Sequence, residues 1–225
     1  MLLHLENVLD APTVVRMRAA LTAAEWTDGR ETVGSQGAAV KRNQQLPDAS
    51  PLRAQLGREV LAACARHPLF HAATLPVKIL PPRFNRYAEG GTYGAHVDGA
   101  VMAMADGTQL RSDIACTLFL AEPDSYDGGE LIVDDTYGEH EAKLPAGDAL
   151  VYPASSLHRV EPVTRGVRVA AFFWIQSLVR DEAQRRTLLQ LDGAIQRLTG
   201  DRADAAALKQ LTGVYHNLLR QWSQT

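Results

Sequence analysis

Cysteine is scarce in this sequence, and long apolar runs are missing. The 225 residues include two cysteines, Cys64 and Cys116, which lie far apart and form no Cys-x-x-Cys motif. A reduced protein is the simpler interpretation, with one long-range disulfide as the alternative. No segment approaches the roughly 18 apolar residues that a membrane-spanning helix needs, and the stretch up to Glu6 has no basic residue to open a signal peptide. We therefore expect a cytoplasmic protein without a membrane partner.

Neither sign of charge dominates the chain. Lysine and arginine together number 23, aspartate and glutamate 26, and the net charge at pH 7 is -3. This balance predicts no broad basic surface, so we expect no nucleic-acid partner. The composition, 46% hydrophobic and 22% charged, is that of an ordinary globular protein. The length fits one domain with a small additional lobe.

Two helices are predicted near the N-terminus. Residues 10–24 place Asp10 at an N-cap, and a second helix begins with Ser50 as its cap and Pro51 in its first turn. The Gly-, Gln- and Asn-rich segment Thr27–Pro47 is predicted as a loop with one short strand, Ala38–Lys41. We expect both helices to pack on a sheet, because each has an apolar stripe at helical spacing.

From Leu75 onward the apolar residues follow a period of two, which is typical of β-strands. Turn residues such as Gly128-Gly129 and Arg165-Gly166 separate the runs. Because no helical segment intervenes, the pattern predicts an antiparallel sandwich or jelly roll rather than a parallel sheet. The predicted strands are Val77–Leu80, Phe84–Tyr87, Ile114–Ala121, Glu130–Asp134, Ala149–Tyr152, His158–Val163 and Val167–Ile175.

Helical periodicity returns after Ser177. One apolar stripe ends near Gly200 and a second follows it. The chain is therefore predicted to be an α+β protein in three parts: a helical and loop region at 1–76, a β core at 77–178 and a helical extension at 179–225. This extension packs either on the sheet or on a second subunit, and the second arrangement predicts a homodimer through the C-terminal helices.

A glycine-loosened segment leads into His96 and Asp98. Side chains two residues apart in a strand point the same way, so this pair can offer an imidazole and a carboxylate to one ion. His158, on a later predicted strand, is the best candidate for a third ligand. Two histidines and one carboxylate with open coordination positions form the facial triad that suits non-haem Fe(II) oxygenases. Each residue alone is a weak signal, since a single histidine is more often structural than ligating.

Arg168 lies on the predicted strand that follows His158. A guanidinium inside a sheet is costly unless a carboxylate pairs with it. An acidic cosubstrate such as 2-oxoglutarate would supply that carboxylate in a bidentate contact; a protein acid or simple exposure is the alternative. Tyr87 can donate its hydroxyl to the same carboxylate, and Asn85 shares its strand face. Tyr93 is a further candidate for the cavity wall, although either tyrosine can equally be sheet packing.

Several motifs follow one another in a fixed order. They are Arg83-x-Asn-x-Tyr87, Gly-x-x-Tyr93-x-x-His96-x-Asp98, Gly128-Gly129-Glu130-Leu, Gly147-Asp148-Ala-Leu-Val-Tyr, His158-x-Val and Arg168 followed by Trp174. As an ordered set they resemble the Fe(II)/2-oxoglutarate dioxygenases of the prolyl 4-hydroxylase type. The length, the leading helices and the helical tail are similar, more narrowly, to the bacterial PKHD-type hydroxylases. The resemblance is strongest from about Val77 to Leu178.

This resemblance implies a double-stranded β-helix that holds Fe(II) through His96, Asp98 and His158, with Arg168 anchoring the distal carboxylate of 2-oxoglutarate. It also implies hydroxylation of an unactivated C–H bond with O2, release of succinate and CO2, and L-ascorbate as a reductant. Halogenating relatives lack the metal-binding carboxylate, so the presence of Asp98 favours hydroxylation. Trp174 joins the candidates for the cavity wall.

Other interpretations stay open at this point. A cupin-like protein would hold a metal for binding or sensing without turnover, and it would not need Arg168; a zinc hydrolase would ignore 2-oxoglutarate. The substrate is open among an amino acid, a peptide and another small metabolite. Residues 99–113 are interpreted as a mobile flap, with an ordinary loop or a further strand as alternatives. The remaining histidines, among them His4 and His140, are interpreted as structural or solvated.

Overall fold

The computed structural model describes residues 1–32 and 34–224. Its helices are Ala11–Thr22 (α1), Ser35–Val40 (α2), Pro51–Arg66 (α3), Pro68–Thr74 (α4), Glu182–Gly200 (α5) and Ala205–Trp222 (α6). Its strands are Leu3–Leu5 (β1), Thr27–Asp28 (β2), Lys41–Arg42 (β3), Gln44–Gln45 (β4), Pro76–Ile79 (β5), Arg83–Tyr87 (β6), Thr92–His96 (β7), Val101–Ala103 (β8), Gln109–Arg111 (β9), Ile114–Phe119 (β10), Tyr126–Asp127 (β11), Leu131–Asp135 (β12), Gly138–Ala142 (β13), Ala149–Pro153 (β14), His158–Val160 (β15), Arg165–Gly166 (β16) and Arg168–Ser177 (β17).

The N-terminal helices begin where their capping residues lie. The Asp10 carboxylate accepts a hydrogen bond from the Thr13 backbone N–H at 2.9 Å, so it satisfies a free donor in the first turn of α1. The Ser50 hydroxyl does the same for the Arg53 N–H at 3.3 Å, and α3 continues to Arg66. Both helices therefore begin at the residues that the sequence indicates.

The predicted strand at Ala38–Lys41 is wrong over most of its length. Residues 38–40 are the end of α2, and extended backbone begins at Lys41. The physical reason is the pair Ala38-Ala39, because alanine favours the helix and has no branched side chain to pack on a sheet. Elements outside the predicted set include β1, β7, β13 and α4.

Two antiparallel sheets form the centre of the molecule. The larger sheet has the strand order β1-β14-β10-β17-β6-β4-β2, and β5 also pairs with β17. The smaller sheet has the order β13-β12-β15-β7-β3. Two two-stranded sheets, the β8-β9 hairpin and the β11-β16 pair, complete the strands of the described chain. The predicted combination of antiparallel sheets and helices, an α+β fold, is confirmed.

The two faces of the larger sheet pack against different parts of the molecule, the N-terminal helices on one side and the smaller sheet on the other. One face shares a hydrophobic cluster with the N-terminal helices, in which Met17 of α1 and Val60 of α3 meet Leu118 and Phe173 of the sheet. The other face looks toward the smaller sheet, and residues of both sheets form a second cluster there. The first cluster is the helix-backed core, and the second surrounds the candidate site.

The C-terminal helices pack against each other and against the end of β17. Leu188 of α5 is buried with Leu75 and Val179, and Tyr215 and Trp222 of α6 pack on that group. Among the described residues, no helix is both long and apolar enough to cross a bilayer. Cys64 and Cys116 are buried free thiols, so the alternative of a disulfide between them is wrong.

Candidate metal and cosubstrate site

The two candidate histidines are neighbours across a strand pair. β7 and β15 run antiparallel in the smaller sheet, and His96 lies directly opposite His158 in their register. The imidazole ring centroids are 4.2 Å apart. Cross-strand partners of this kind have adjacent side chains on the same face of the sheet. Sheet pairing therefore brings together two residues that are distant in the sequence.

Backbone carbonyls fix which nitrogen of each ring faces inward. His96 Nδ1 lies 2.8 Å from the Gly94 carbonyl oxygen, and His158 Nδ1 lies 3.0 Å from that of Ser156. A carbonyl oxygen only accepts, so each Nδ1 donates its proton and each Nε2 keeps a free lone pair. Metal-binding histidines are oriented in this way by partners of their second nitrogen.

Asp98 completes the cluster from just beyond the end of β7. Its Oδ1 lies 4.0 Å from His96 Nε2 and 3.8 Å from His158 Nε2. The strand ends at His96, so the irregular backbone after the strand, rather than strand alternation, sets the position of the carboxylate. One ligand atom from each of the three residues lies within 4.8 Å of the others. The three predicted residues are thus the ones that the fold brings together.

Burial shifts the pKa values of His96 and Asp98 in directions that favour the binding of a cation. Burial, reinforced by His158, lowers the pKa of His96 to about 4, so this imidazole is neutral at neutral pH. Burial also raises the pKa of Asp98, with His158 acting in the opposite direction. A neutral imidazole and a carboxylate withdrawn from water both gain when a divalent ion arrives.

Arg168 is the first residue of β17 and is 1% exposed. Its Nε has no hydrogen-bond partner in the part of the chain that the structure describes. The rings of Tyr87 and Phe119 face its guanidinium, each with its centroid 5.3 Å from Cζ. Aromatic faces attract a cation but do not satisfy its N–H donors. A buried guanidinium in this state fits an incoming carboxylate.

The other predicted residues line the same space. Tyr87 pairs with Arg168 across β6 and β17, and its hydroxyl accepts a hydrogen bond from the Asn85 amide at 3.4 Å. The Tyr93 ring stacks on His96, with centroids 3.6 Å apart. Trp174 packs edge-on against Phe172 on the cavity face of β17. By contrast, Arg165 is exposed and bonds Asp127, as expected for a residue of a solvated turn.

These residues enclose a cavity of about 970 Å³ between the sheets. Its described lining includes one acidic residue, Asp98, and three basic ones, Lys41, Arg83 and Arg168. A cavity of this volume holds a small organic molecule together with a cosubstrate. The charge of the lining favours anionic ligands.

Sequence reasoning missed several residues of this site. Lys41 and Asn43 lie in the segment that was expected to be mostly loop, yet both are buried against the cavity. Gly129 was interpreted as part of a simple turn. Its φ is +70°, and a Cβ there would stand 3.1 Å from Arg168 Cδ, so the glycine also makes room for the arginine. The Gly-Gly pair was a visible signal, but the contact with Arg168 depends on the fold.

The remaining predictions concern residues outside the cluster. His4 Nε2 lies 2.7 Å from Asp148 Oδ2, and His140 Nε2 lies 2.8 Å from Asp135 Oδ2; both pairs are structural contacts away from the site. Residues 99–113 contain the β8-β9 pair, so the strand alternative describes them. Arg111 ties this pair to β17, because its backbone N–H donates to Gln176 Oε1 at 3.1 Å and its guanidinium donates to the Ser177 carbonyl at 3.3 Å.

Comparison with known proteins adds family matches along the chain. A family model described as the 2OG-Fe(II) oxygenase superfamily matches residues 82–176. A second, described as the PKHD-type hydroxylase C-terminal domain, matches residues 182–224.

Whole-chain relatives and solved structures agree with these matches. The sequence is 66% identical over 224 residues to a PKHD-type hydroxylase of Stenotrophomonas maltophilia (strain R551-3), with 100% of each chain covered. It is 61% identical over 230 residues to a PKHD-type hydroxylase of Xylella fastidiosa (strain M23), again with 100% of each covered. A Pseudomonas putida prolyl-4-hydroxylase structure is similar with a TM-score of 0.53 and 23% identity, covering 78% of this chain and 92% of that one. This last similarity concerns the fold alone, and it supports the predicted jelly roll.

Proposed function

The chain belongs to the PKHD-type hydroxylase family of 2-oxoglutarate-dependent iron hydroxylases, and from that premise we propose that His96, Asp98 and His158 hold its Fe(II). The observation that carries the proposal is the convergence of two inward-facing Nε2 atoms and one carboxylate on a single point. Two imidazoles and a carboxylate are the donor set of non-haem Fe(II) sites with open positions.

Arg168 is the proposed anchor of 2-oxoglutarate. Its buried Nε without a partner in the described chain indicates a missing acceptor, and a carboxylate supplies two in bidentate geometry. Tyr87, opposite Arg168 on the neighbouring strand, would donate its hydroxyl to the same carboxylate. When bound, Fe(II) supplies the activation of O2 that couples cosubstrate decarboxylation, to succinate and CO2, with hydroxylation of a substrate C–H bond.

The protein's own residues orient the reactants and exclude water. The Gly94 and Ser156 carbonyls orient the two imidazoles so that each Nε2 faces the proposed iron site. Tyr152 is buried and lies edge-on to His158, with ring centroids 5.2 Å apart, which keeps that ring in place. Trp174 lines the wall beside the proposed ligands. The amino-acid-like, peptide or small-metabolite character of the substrate is the finer part of this proposal.

Succinate release tests the reaction. Purified protein receives Fe(II), 2-oxoglutarate and ascorbate in air, and succinate is measured with and without candidate substrates. We expect succinate from the wild type, including slow uncoupled release, and none from Asp98→Ala. His140→Ala is the matched control, because His140 pairs with Asp135 outside the site.

Each competing function predicts a different outcome. Absence of succinate from fully metallated wild-type protein would favour a cupin-like binding protein. Activity that persists without O2 and 2-oxoglutarate would favour a zinc hydrolase. A need for ascorbate is tested by omitting it over many turnovers, since a reductant of the iron affects sustained turnover.

Three broader expectations accompany the proposed reaction. They are the division into 1–76, 77–178 and 179–225, a cytoplasmic location without nucleic-acid or membrane partners, and a homodimer through the C-terminal helices. Light scattering of the full chain and of a variant with a charged residue at Val214, which is exposed on α6, tests the last of these.

A further inference from the structure

Tyr126, in β11, is a buried residue to which the proposed reaction gives no role. The residue is 1% exposed, and its hydroxyl has no hydrogen-bond partner in the part of the chain that the structure describes. Buried hydroxyls are nearly always paired, because a polar atom that leaves water without gaining a partner destabilises the folded state. A tyrosine of this kind is therefore a candidate for contact with a ligand.

The fold places Tyr126 beside Arg168. In the β11-β16 pair Tyr126 lies opposite Gly166, and Arg168 follows Gly166 by two residues. Both side chains border Gly129, since a Cβ at this glycine would stand 3.0 Å from Tyr126 Cε2 and 3.1 Å from Arg168 Cδ. Burial raises the pKa of Tyr126 and the charge of Arg168 lowers it, as expected for a phenol close to a guanidinium. The tyrosine is therefore a neighbour of the proposed cosubstrate anchor.

The proton of the Tyr126 hydroxyl needs an acceptor that Arg168 cannot supply. A guanidinium has only N–H donors, so Arg168 can approach the phenolic oxygen but cannot accept its proton. Glu130, the other charged residue that acts on the Tyr126 pKa, accepts from Lys143 Nζ at 3.2 Å. The same ammonium lies 4.5 Å from the centroid of the Tyr126 ring and donates to the Tyr126 backbone carbonyl at 3.0 Å. Glu130 is thus paired with a lysine, and the hydroxyl keeps its proton for a further acceptor.

One ligand group can accept from both residues. Arg168 Nε and the Tyr126 hydroxyl are buried donors, and neither has an acceptor among the described residues. The oxygens of a carboxylate have lone pairs enough to accept from both. Given the proposed function, on which this step rests, we infer that Tyr126 is a further residue of the cosubstrate anchor, whose hydroxyl donates to the distal carboxylate of 2-oxoglutarate beside Arg168.

Tyr126→Phe tests the hydroxyl while keeping the ring. The probes are 2-oxoglutarate and 2-oxopentanoate, which has a methyl group in place of the distal carboxylate, and each is titrated by calorimetry into Fe(II)-loaded protein without O2. We expect the variant to bind 2-oxoglutarate roughly 3- to 30-fold more weakly than the wild type, because a hydrogen bond to a charged group is lost. Its affinity for 2-oxopentanoate should be unchanged. Tyr215→Phe, at a partly buried tyrosine of α6, is the matched control and should bind both probes like the wild type.

Stability without ligands distinguishes a binding role from a packing role. Tyr126→Phe removes a buried hydroxyl that lacks an acceptor in the described chain, so urea denaturation of the ligand-free protein should show equal or greater stability than the wild type. A hydroxyl that serves the fold alone gives the opposite pair of results, which is a less stable variant with normal affinity for 2-oxoglutarate.

Two results would overturn the inference. One is an unchanged affinity of Tyr126→Phe for 2-oxoglutarate, and the other is an equal loss of affinity for both keto acids, because the distal carboxylate would then not be the group that Tyr126 contacts. If 2-oxopentanoate binds too weakly to titrate, the stability measurement decides: weaker binding of 2-oxoglutarate with undiminished stability supports the inference, and weaker binding with lower stability rejects it.

The failure of the proposed function has a different signature. It appears as a wild-type protein that does not bind 2-oxoglutarate in an Fe(II)-dependent manner. Normal binding of 2-oxoglutarate by both the wild type and Tyr126→Phe rejects the role of Tyr126 alone.

Discussion

The two faces of β17 differ although they belong to one strand. Val169, Ala171, Phe173 and Ile175 point into the helix-backed core, and Arg168, Ala170, Phe172 and Trp174 alternate with them on the cavity side. The first face has only apolar side chains that fill space. The second begins with a buried cation and ends with an indole at the cavity wall. Because successive side chains of a strand point to opposite faces, the residues that stabilise the fold alternate along β17 with residues that face the cavity.

The difference shows that one face of β17 contributes to stability and the other contributes to the candidate site. Buried apolar side chains lower the free energy of the folded state in proportion to the area that they remove from water. A buried cation raises that free energy unless a partner compensates it. The cavity face of the sheet is therefore costly in the free protein and gains when its ligands arrive. Four substitutions test this contrast, in order of decreasing expected effect.

Phe173→Ala should have the largest effect, on stability. It empties a fully buried position among the helices, and such changes cost about 3–5 kcal/mol of unfolding free energy. Phe172→Ala is the matched variant on the cavity face, where the ring is half-buried, and we expect roughly half that cost. Urea denaturation of both variants makes the comparison; equal losses would contradict the separation of the two faces.

Arg168→Met should leave stability unchanged or raise it, because it removes a buried charge that lacks a protein partner for its Nε. Its affinity for 2-oxoglutarate should fall by about 2–4 kcal/mol, or roughly 30- to 1,000-fold. Calorimetric titration of the Fe(II)-loaded protein measures this. Arg168→Lys should recover only part of the affinity, since an ammonium cannot make the bidentate contact. A destabilised variant with normal cosubstrate affinity would assign Arg168 to the core.

Lys41→Met should stabilise the protein by about 1–3 kcal/mol at pH 7, because folding no longer buries a charge. The folded pKa of Lys41 is about 8 and the ordinary value is 10.5, so between these pH values the unfolded chain holds a proton that the folded protein lacks. Wild-type stability therefore rises with pH across this window, and the advantage of the variant disappears toward its upper end. Denaturation of both proteins at a series of pH values measures the difference. A stability advantage of Lys41→Met that grows with pH would contradict the lowered pKa of Lys41.

Tyr87→Phe should have the smallest effect. It deletes one hydroxyl, so we expect cosubstrate affinity to fall by roughly 2- to 10-fold, well below the loss in Arg168→Met. Asn85 loses its acceptor in the same variant, which should cost about 0.5–1.5 kcal/mol of stability. Tyr137→Phe is the control, because Tyr137 is almost fully exposed. An unchanged cosubstrate affinity in Tyr87→Phe would show that the ring alone, through its packing on Arg168, matters at this position.

Features that depend on one residue or on near neighbours in the sequence could be predicted. Asp10 and Ser50 cap helices through residues three positions ahead, so short-range patterns were enough to place α1 and α3. Arg168 drew attention because a guanidinium in a strand demands an acceptor. His158 was harder, since its place beside His96 depends on which strands pair; the order of the motifs supplied that step.

What the sequence did not reveal depends on contacts between distant segments. The inward face of Lys41–Gln45 spans too few residues for its period of two to be recognised, and the alanines before it favour a helix. β1 is paired only because β14 lies beside it, and the same pairing brings His4 to Asp148. No pattern of neighbouring residues predicts that β1 pairs with β14 or that His4 contacts Asp148. The space that Gly129 leaves for Arg168 is likewise a property of the assembled fold.

The position of His96 opposite His158 has a consequence for folding itself. An ion held by both rings and by Asp98 would be a removable crosslink between β7 and β15, strands that are joined only through a long stretch of chain. Because the unfolded chain cannot form this clamp, mass action makes the melting temperature rise with free Fe(II). The metal that serves catalysis would then also set how long the enzyme survives in an iron-poor cell.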